Sequence, residues 1–281
     1  MKNVALALSS GGPRGFAYIG AIEVLQKRGY RITSVAGSSA GALVGGIFAA
    51  GGLTPFKEWL YGLDPVQVVS LMDFAPSRNS LVKGDKIIRA IKERVPDVRI
   101  EDLPIPYCAV ATDWVTGREV VFREGSLFEA IRASISLPSF YEPVHRDGMI
   151  LIDGGVTNPI PLNRVVRKEG DILVGVDVSG HDYKAQSEMQ HELAEKRKRS
   201  TSLSQQILNK LIPDNLEFNY YTMLSRVSSI LIRQNSILMA QLMKPDILVD
   251  IQMARYGGFD FDKSEKLIAI GRQKTLQALN K

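Results

Sequence analysis

Apolar and polar positions alternate between two periods over the first fifty residues. Val4-Ala5-Leu6-Ala7-Leu8 is a continuous apolar run bounded by Ser9-Ser10-Gly11-Gly12-Pro13, the pattern of a buried strand ending in a turn. From Phe16 to Arg28, apolar residues fall at Phe16, Ile19, Ile22 and Val24-Leu25, the spacing of a helix face, with Gly29 as its stop. Ile32 to Ala36 reads as a second short strand. Ala40 to Ala50 reads as a helix of small residues able to pack close to a sheet. Strand, glycine loop, helix, strand, tight turn, helix predicts an α/β domain with a largely parallel sheet.

Further along, residues 64–82 break the regularity, with Pro65, Pro76, Ser77, Arg78, Asn79 and Ser80 set among Val68, Val69, Leu71, Met72 and Phe74. A helix is expected from Gly84 to Arg94. Strands follow at Tyr107 to Thr112 and Glu119 to Phe122, joined by a turn at Thr116-Gly117. Ser126 caps a helix running to Ser134, and Met149 to Ile152 and Ile172 to Val178 are further strands. After Gly180 the character changes. His181 to Arg199 is rich in charge, and Leu216 to Met243 is long, helical in pattern and dense in Tyr, Met, Leu and Ile. A strand at Ile247 to Ile251 and a helix near Lys263 to Leu279 return to the earlier alternation. The expected organisation is one domain over residues 1–281: a core of 4–180 plus 245–279 and a helical excursion at 181–243. No internal repeat is evident.

Composition narrows this picture only in places. At 281 residues, 45% hydrophobic and 23% charged, the chain can bury a core without staples. Its single cysteine, Cys108, allows no intrachain disulfide and lies in an apolar run, where thiols act as small buried hydrophobes. The net charge of +5 is a mild bias that specifies neither lipid nor nucleic acid. Val4 to Leu8 passes straight into a glycine loop, unlike a secretory signal. The longest apolar stretch, Ala40 to Leu53, is too short and too glycine-rich to span a bilayer. The expectation is a cytoplasmic protein, with contact at a membrane surface left open.

Gly37-Ser38-Ser39-Ala40-Gly41 places a serine between two glycines where a strand meets a helix, the setting of a nucleophile elbow. There the Ala40 N–H and the positive end of the helix dipole would face developing negative charge. The competing reading is a glycine-rich turn in which Ser38 or Ser39 caps the helix. Upstream, the backbone N–H groups of Ser10-Gly11-Gly12-Pro13-Arg14-Gly15 can converge on an anion, either a nucleotide phosphate or the oxyanion of a tetrahedral intermediate. The nucleotide readings fit poorly. A dinucleotide fingerprint needs glycine at position 10 and an acid near the second strand's end, and the Gly-Lys-Ser/Thr of a phosphate loop is absent. A purely structural turn remains the other reading.

The histidines are His145, His181 and His191, and Ser39 comes too early in the chain for the triad hydrolases in which histidine comes last. His181 and His191 lie in or beside the charged stretch and read as surface residues. The better base is Asp153, which an apolar strand delivers to its own end in Leu151-Ile152-Asp153-Gly154-Gly155. Burial beside Ser39 would raise its pKa and strengthen its hold on the serine proton. A plain Asp-Gly turn is the competing reading.

Together these elements resemble the patatin-like phospholipase family. Ser10-Gly11-Gly12-Pro13-Arg14-Gly15 is similar to its oxyanion loop G-G-G-x-R/K-G, Gly37-Ser38-Ser39-Ala40-Gly41 to its nucleophile elbow, and Asp153-Gly154-Gly155 to its D-G-G/A motif. Ala133-Ser134-Ile135-Ser136-Leu137-Pro138, followed by Glu142-Pro143-Val144, resembles a fourth segment of its bacterial members. The resemblance covers about residues 4–180 and the closing strand and helix, but not 181–243. It implies a three-layer α/β/α fold with a mostly parallel central sheet, and a Ser39–Asp153 dyad without histidine. It also implies an oxyanion hole built around Gly11, Gly12, Arg14, Gly15 and Ala40, with neither metal nor cofactor. Two departures stand out: Ser10 replaces the family's first glycine, a problem if that position demands positive φ, and Pro13 offers no N–H.

The implied activity is that of a carboxylic-ester hydrolase of phospholipase A or lysophospholipase type. Its substrate would be a phospholipid, a lysophospholipid or another acyl ester, with no nucleic-acid partner. The apolar segments 65–75 and 216–243 would take acyl chains, touch a membrane, form a homodimer surface, or simply pack. The alternative is a regulatory or adaptor protein that keeps the fold with little turnover and acts through 181–243.

Overall fold

The computed structural model describes residues 2–74, 82–138, 140–180, 188, 220–253 and 261–280. Most of the charged stretch and the start of the predicted helix at 216 lie outside these residues. Eight strands are described: β1 (Lys2–Leu8), β2 (Tyr30–Ser38), β3 (Tyr107–Asp113), β4 (Glu119–Phe122), β5 (Val144–Arg146), β6 (Met149–Asp153), β7 (Ile172–Asp177) and β8 (Ile247–Asp250). The longer helices are α1 (Ala17–Lys27), α2 (Ala40–Ala49), α3 (Leu53–Tyr61), α4 (Pro65–Leu71), α5 (Asp85–Lys92), α6 (Leu127–Ser134), α7 (Tyr220–Met243) and α8 (Ser264–Leu279).

All eight strands form one sheet in the order β5-β6-β3-β2-β1-β7-β8, with β4 paired to β3. The run β3-β2-β1-β7-β8 is parallel, and β4, β5 and β6 add antiparallel pairings at one end. This is a mostly parallel mixed sheet with helices on both sides: the alternation of elements predicts the largely parallel sheet, and the family resemblance implies the three layers. β1 lies in the interior of the sheet between β2 and β7, and Val4 to Leu8 are fully buried because both faces are covered. Val4, Leu6 and Leu8 join the larger core beneath α1, α2, α6 and α8. Ala5 and Ala7 face a smaller core with Ile160, Leu162 and Leu173, roofed in part by Met239, Ala240 and Met243 of α7. The described end of the predicted helical excursion is therefore one layer of the sandwich.

Two elements are absent from the sequence expectations. α3 places Phe56 and Leu60 in the core, with Pro55 near its start, where an N–H has no helical partner. β5 is only three residues long and pairs with β6 through a tight turn at Asp147-Gly148. Irregular residues 64–82 resolve in part into α4, which opens with a capping box between Asp64 and Gln67. The helix expected from Phe16 instead begins as a 3-10 turn over Gly12–Phe16, then continues as α1.

Candidate active site

β2 and β6 meet on β3, which acts as a common ruler. Ser38 is opposite Val110, and Asp153 is opposite the next residue, Ala111. The end of β2 and the end of β6 are thereby fixed one register step apart, although 114 residues separate Ser39 from Asp153. Ser39 Oγ donates a 2.5 Å hydrogen bond to Asp153 Oδ2. Asp153 Oδ1 accepts the Gly155 N–H at 2.7 Å, so one carboxylate oxygen is held by the backbone and the other faces the serine.

Ser39 itself is strained. Its φ of 54° and ψ of −121° lie where only glycine is comfortable. Its N–H donates to Ser134 Oγ at 2.8 Å, while its carbonyl accepts the Leu43 N–H at 3.0 Å as α2 begins. Ser134 Oγ in turn donates to Val110 O at 2.6 Å, tying the elbow to β3. The flanking glycines are required by close approach. A Cβ on Gly37 would stand 2.3 Å from the Gly41 carbonyl carbon, and one on Gly41 would stand 2.2 Å from Leu8 O. The Asp-Gly-Gly turn is equally tight, since a Cβ on Gly154 would lie 2.0 Å from Val110 O and 2.8 Å from Ser38 Oγ.

Asp153 is fully buried, and that burial pushes its carboxyl up to about 6, against the hydrogen bonds from Ser39 and Gly155 that favour the charged form. Its N–H donates to Ser136 O at 2.9 Å, and its carbonyl accepts from Thr112 Oγ1 at 3.0 Å. Ser134, Ser136 and Thr112 are thus supports that the sequence reading does not single out. The first two lie in the fourth resembling segment, which was the available signal.

The glycine loop packs against the start of α2. A Cβ on Gly15 would fall 2.4 Å from Ala40 Cβ. Ser9 N–H donates to Val176 O and Ser10 N–H to Pro159 O, so the loop is anchored to β7 and to the segment after Asp153. The left-handed position in the loop is Gly12, at φ 56°, and Gly11 is extended at φ 174°. Ser10 is not among the positive-φ residues, so replacing glycine there costs the backbone nothing. Its side chain fills the space beside Gly155. Pro13 is the second residue of the 3-10 turn, where a missing N–H does no harm. Arg14 donates from Nε to Gly11 O and from Nη1 to Gly180 O, each at 3.2 Å.

His145 is exposed on edge strand β5, and no described hydrogen bond joins it to the Ser39–Asp153 pair. His181 and His191 lie outside the described residues. Cys108 is buried on β3, and burial pushes its thiol up to about 11, which leaves it an unreactive core residue. Among the described residues, no group of three or more His, Cys, Asp or Glu is placed to hold a metal ion.

A strained serine at a strand–helix junction, bonded to a buried aspartate beside a glycine loop, is a constellation that can be compared with known proteins. The family model described as patatin-like phospholipase matches residues 6–166, more than half of the chain. The chain belongs to the patatin-like phospholipase family. Over 179 residues it is 44% identical to an NTE family protein of Mycobacterium tuberculosis strain H37Rv, a match covering 64% of this chain and 50% of that protein. Over 186 residues it is 30% identical to patatin-like phospholipase domain-containing protein 7 of Mus musculus, covering 64% of this chain and 14% of that one. This patatin-like chain therefore spans about half the length of its mycobacterial relative and a small part of the mouse one. In fold it is similar to VipD from Legionella pneumophila, with a TM-score of 0.51 at 15% identity, over 99% of this chain and 66% of that one. The matched region holds Ser39, Asp153 and the whole glycine loop.

Proposed function

We propose that this protein is a serine esterase that hydrolyses acyl lipids, with Ser39 as nucleophile and Asp153 as its base. The observation that carries the reading is the 2.5 Å hydrogen bond from Ser39 Oγ to a buried carboxylate whose pKa lies near 6. Such a carboxylate is ionised at pH 7 yet basic enough to take a proton in the transition state.

As Ser39 Oγ bonds to the ester carbonyl carbon, its proton passes to Asp153 Oδ2, and the carbonyl oxygen becomes an oxyanion. Backbone N–H groups of Gly11, Gly12, Arg14 and Gly15, with that of Ala40 at the positive end of α2, stabilise this charge. Arg14 contributes its N–H, while its side chain shapes the loop through Gly11 and Gly180. Collapse of the intermediate breaks the ester C–O bond, and the leaving alcohol takes the proton from Asp153. Water then gives its proton to Asp153 while attacking the acyl-enzyme, and the proton returns to Ser39 Oγ as the carboxylic acid leaves. Gly37, Gly41, Gly154 and Gly155 serve by letting the two turns approach. Phospholipids and lysophospholipids are the expected substrates; membrane contact and self-association belong to the same reading. No cofactor is called for.

A fluorophosphonate probe tests the assignment. Native protein should be labelled at one site, and Ser39→Ala should abolish both labelling and hydrolysis of p-nitrophenyl esters. Labelling that survives in Ser39→Ala would place the nucleophile elsewhere.

A further inference from the structure

Two buried hydroxyls beside the glycine loop take no part in the bond-breaking steps. Ser9 directly follows β1 and Tyr18 lies in the first turn of α1, so the two bracket the loop in sequence. Both residues are fully buried. Tyr18 Oη donates to Ser9 O at 2.5 Å and lies 2.9 Å from Ser9 Oγ. Ser9 Oγ donates to Ser10 O at 2.9 Å and accepts the Val178 N–H, from just beyond β7, at 3.0 Å. The tyrosine ring packs against the far end of the loop, where a Cβ on Gly15 would stand 3.1 Å from its Cε2. A phenylalanine ring would fill that space equally well. What the hydroxyl adds is direction. Burial raises its pKa well above the ordinary phenol value, which keeps it a neutral donor.

The C=O and N–H of a trans peptide lie in one plane and point opposite ways. Each hydroxyl holds one carbonyl inward: Tyr18 that of Ser9, and Ser9 that of Ser10. The N–H groups on the other side of those two planes must then point out of the hub. That of Ser10 does, and it donates to Pro159 O at 2.7 Å, in the segment that follows Asp153. That of Gly11 is the next along, and no described hydrogen bond occupies it. Glycine resists the turning of its peptide less than any other residue, so its neighbours must set the orientation. Turned over, the same peptide would offer a carbonyl oxygen where an oxyanion needs a donor.

We propose that Ser9 and Tyr18 are positioning residues, a pair of hydroxyls that fixes the Ser10–Gly11 peptide so that its N–H is presented to the oxyanion formed at Ser39. The proposal rests on the reading of Ser39 as nucleophile. Neither hydroxyl touches the ester. Their effect belongs to the transition state and not to substrate binding, because the carbonyl oxygen becomes negative only as the serine attacks.

Tyr18→Phe and Ser9→Ala each remove one oxygen from the hub. The test follows p-nitrophenyl butyrate hydrolysis, with kcat counted per Ser39 titrated by the fluorophosphonate. Expected is a fall in kcat of about tenfold or more, toward the roughly 10²–10³ that loss of a whole oxyanion donor costs, with KM moved by less than about twofold. A trifluoromethyl ketone, which forms a tetrahedral adduct with a serine, should bind more weakly by the same factor. The rise of kcat/KM near pH 6 should stay in place, since Asp153 keeps its surroundings. Because both hydroxyls act on one stretch of backbone, the double variant should lose little more than the worse single one. A lower melting temperature with kcat per titrated serine and ketone affinity unchanged would overturn the proposal, leaving the pair as core packing and the nucleophile standing. Loss of the native circular dichroism spectrum in both variants would overturn it as well; if only one is lost, the other decides. A fall in kcat that comes with a displaced pH profile would place the effect on Asp153 and count against the pair. Hydrolysis that survives in Ser39→Ala would overturn the nucleophile itself, and the pair with it, whatever Tyr18→Phe shows.

Discussion

Asp153 carries opposed demands: its burial favours the protonated acid, whereas the proposed reaction needs the carboxylate. Folding raises its pKa from the ordinary 3.8 to about 6. A group whose folded value is raised contributes stability that is fully present below 3.8 and lost as pH rises through about 6. At neutral pH the folded protein therefore carries an ionised carboxylate at a cost of up to about 3 kcal/mol. Two outcomes follow for this residue. For a short-chain ester, kcat/KM should rise with a single ionisation near pH 6 and stay flat above it, and a profile governed by an ionisation near 7 with histidine-like temperature dependence would point to another base. Asp153→Asn should lose at least about 10²-fold in kcat, as expected for removal of a general base, yet gain about 1–3 kcal/mol in urea unfolding at pH 7. The new side chain still offers a carbonyl to the Gly155 N–H. That gain should shrink to nothing by pH 4, and a variant less stable than wild type at pH 7 would show that burial is not what governs this carboxyl. Ser39 and Asp153, the pair proposed as nucleophile and base, could be singled out in the sequence because each sits in a short motif of glycines whose spacing needs no tertiary knowledge. Ser134 was not. Its hydroxyl meets the Ser39 N–H across 95 residues, and only the seating of α6 against β3 brings it there.

At the scale of elements, two polar side chains, Arg233 and Ser236, tie α7 to the ends of β7 and β8. Arg233 donates to both oxygens of Asp250 at the end of β8, and to Asp177 Oδ2 at the end of β7. Partial burial of Arg233 works against its charge, but the two aspartates outweigh that and hold the guanidinium more firmly protonated. Asp177 is nearly inaccessible and also accepts from Ser236 Oγ at 2.5 Å and from the Ser179 N–H at 2.8 Å. Removing the arginine would leave that carboxylate buried without its cation. Arg233→Met should cost about 3–5 kcal/mol and speed amide exchange along α7 before the rest of the molecule. Uniform exchange across the protein would mean that α7 is held by Met239, Ala240 and Met243 instead. Because α7 also packs against the Gly154–Val156 turn, its release should reach the site. Most elements could be read from sequence, since strands buried on both faces appear as unbroken apolar runs, as in Val4 to Leu8, and α1, α2 and α3 end at or just before a glycine. What escaped has physical reasons. β5 is too short to show a period, and the pairing of three strands, β2, β4 and β6, along the two edges of β3 follows from register and not from residue type.

For the molecule as a whole, the family match ends at residue 166 but the core does not. β1 is interior only because β7 covers its second edge, and β7 in turn pairs with β8. Val249, Ile251, Leu267 and Ile268, all from beyond residue 245, are fully or almost fully buried in the same cluster as Leu6, Leu8 and Ile22. α8 rests on α1 backbone to backbone: a Cβ on Gly271 would stand 1.9 Å from Ala17 O, and one on Gly20 would stand 2.1 Å from Ile268 O. The hydrogen-bonded Ser39 and Asp153 are thus contributed by the first 155 positions, while the sheet that holds them in register is completed by the last forty. A chain ended after residue 180 should expose one edge of β7 and the α1 surface, and should fail to give a protease-resistant, cooperatively melting product, although it contains every motif residue. The finer variant Gly271→Leu, which only wedges the two helices apart, should lower stability by about 1–3 kcal/mol or more while leaving fluorophosphonate labelling of Ser39 in the folded fraction unchanged. A soluble truncated chain labelled as fast as the full one would show that β8 and α8 are appended to the sheet and are not part of what folds it.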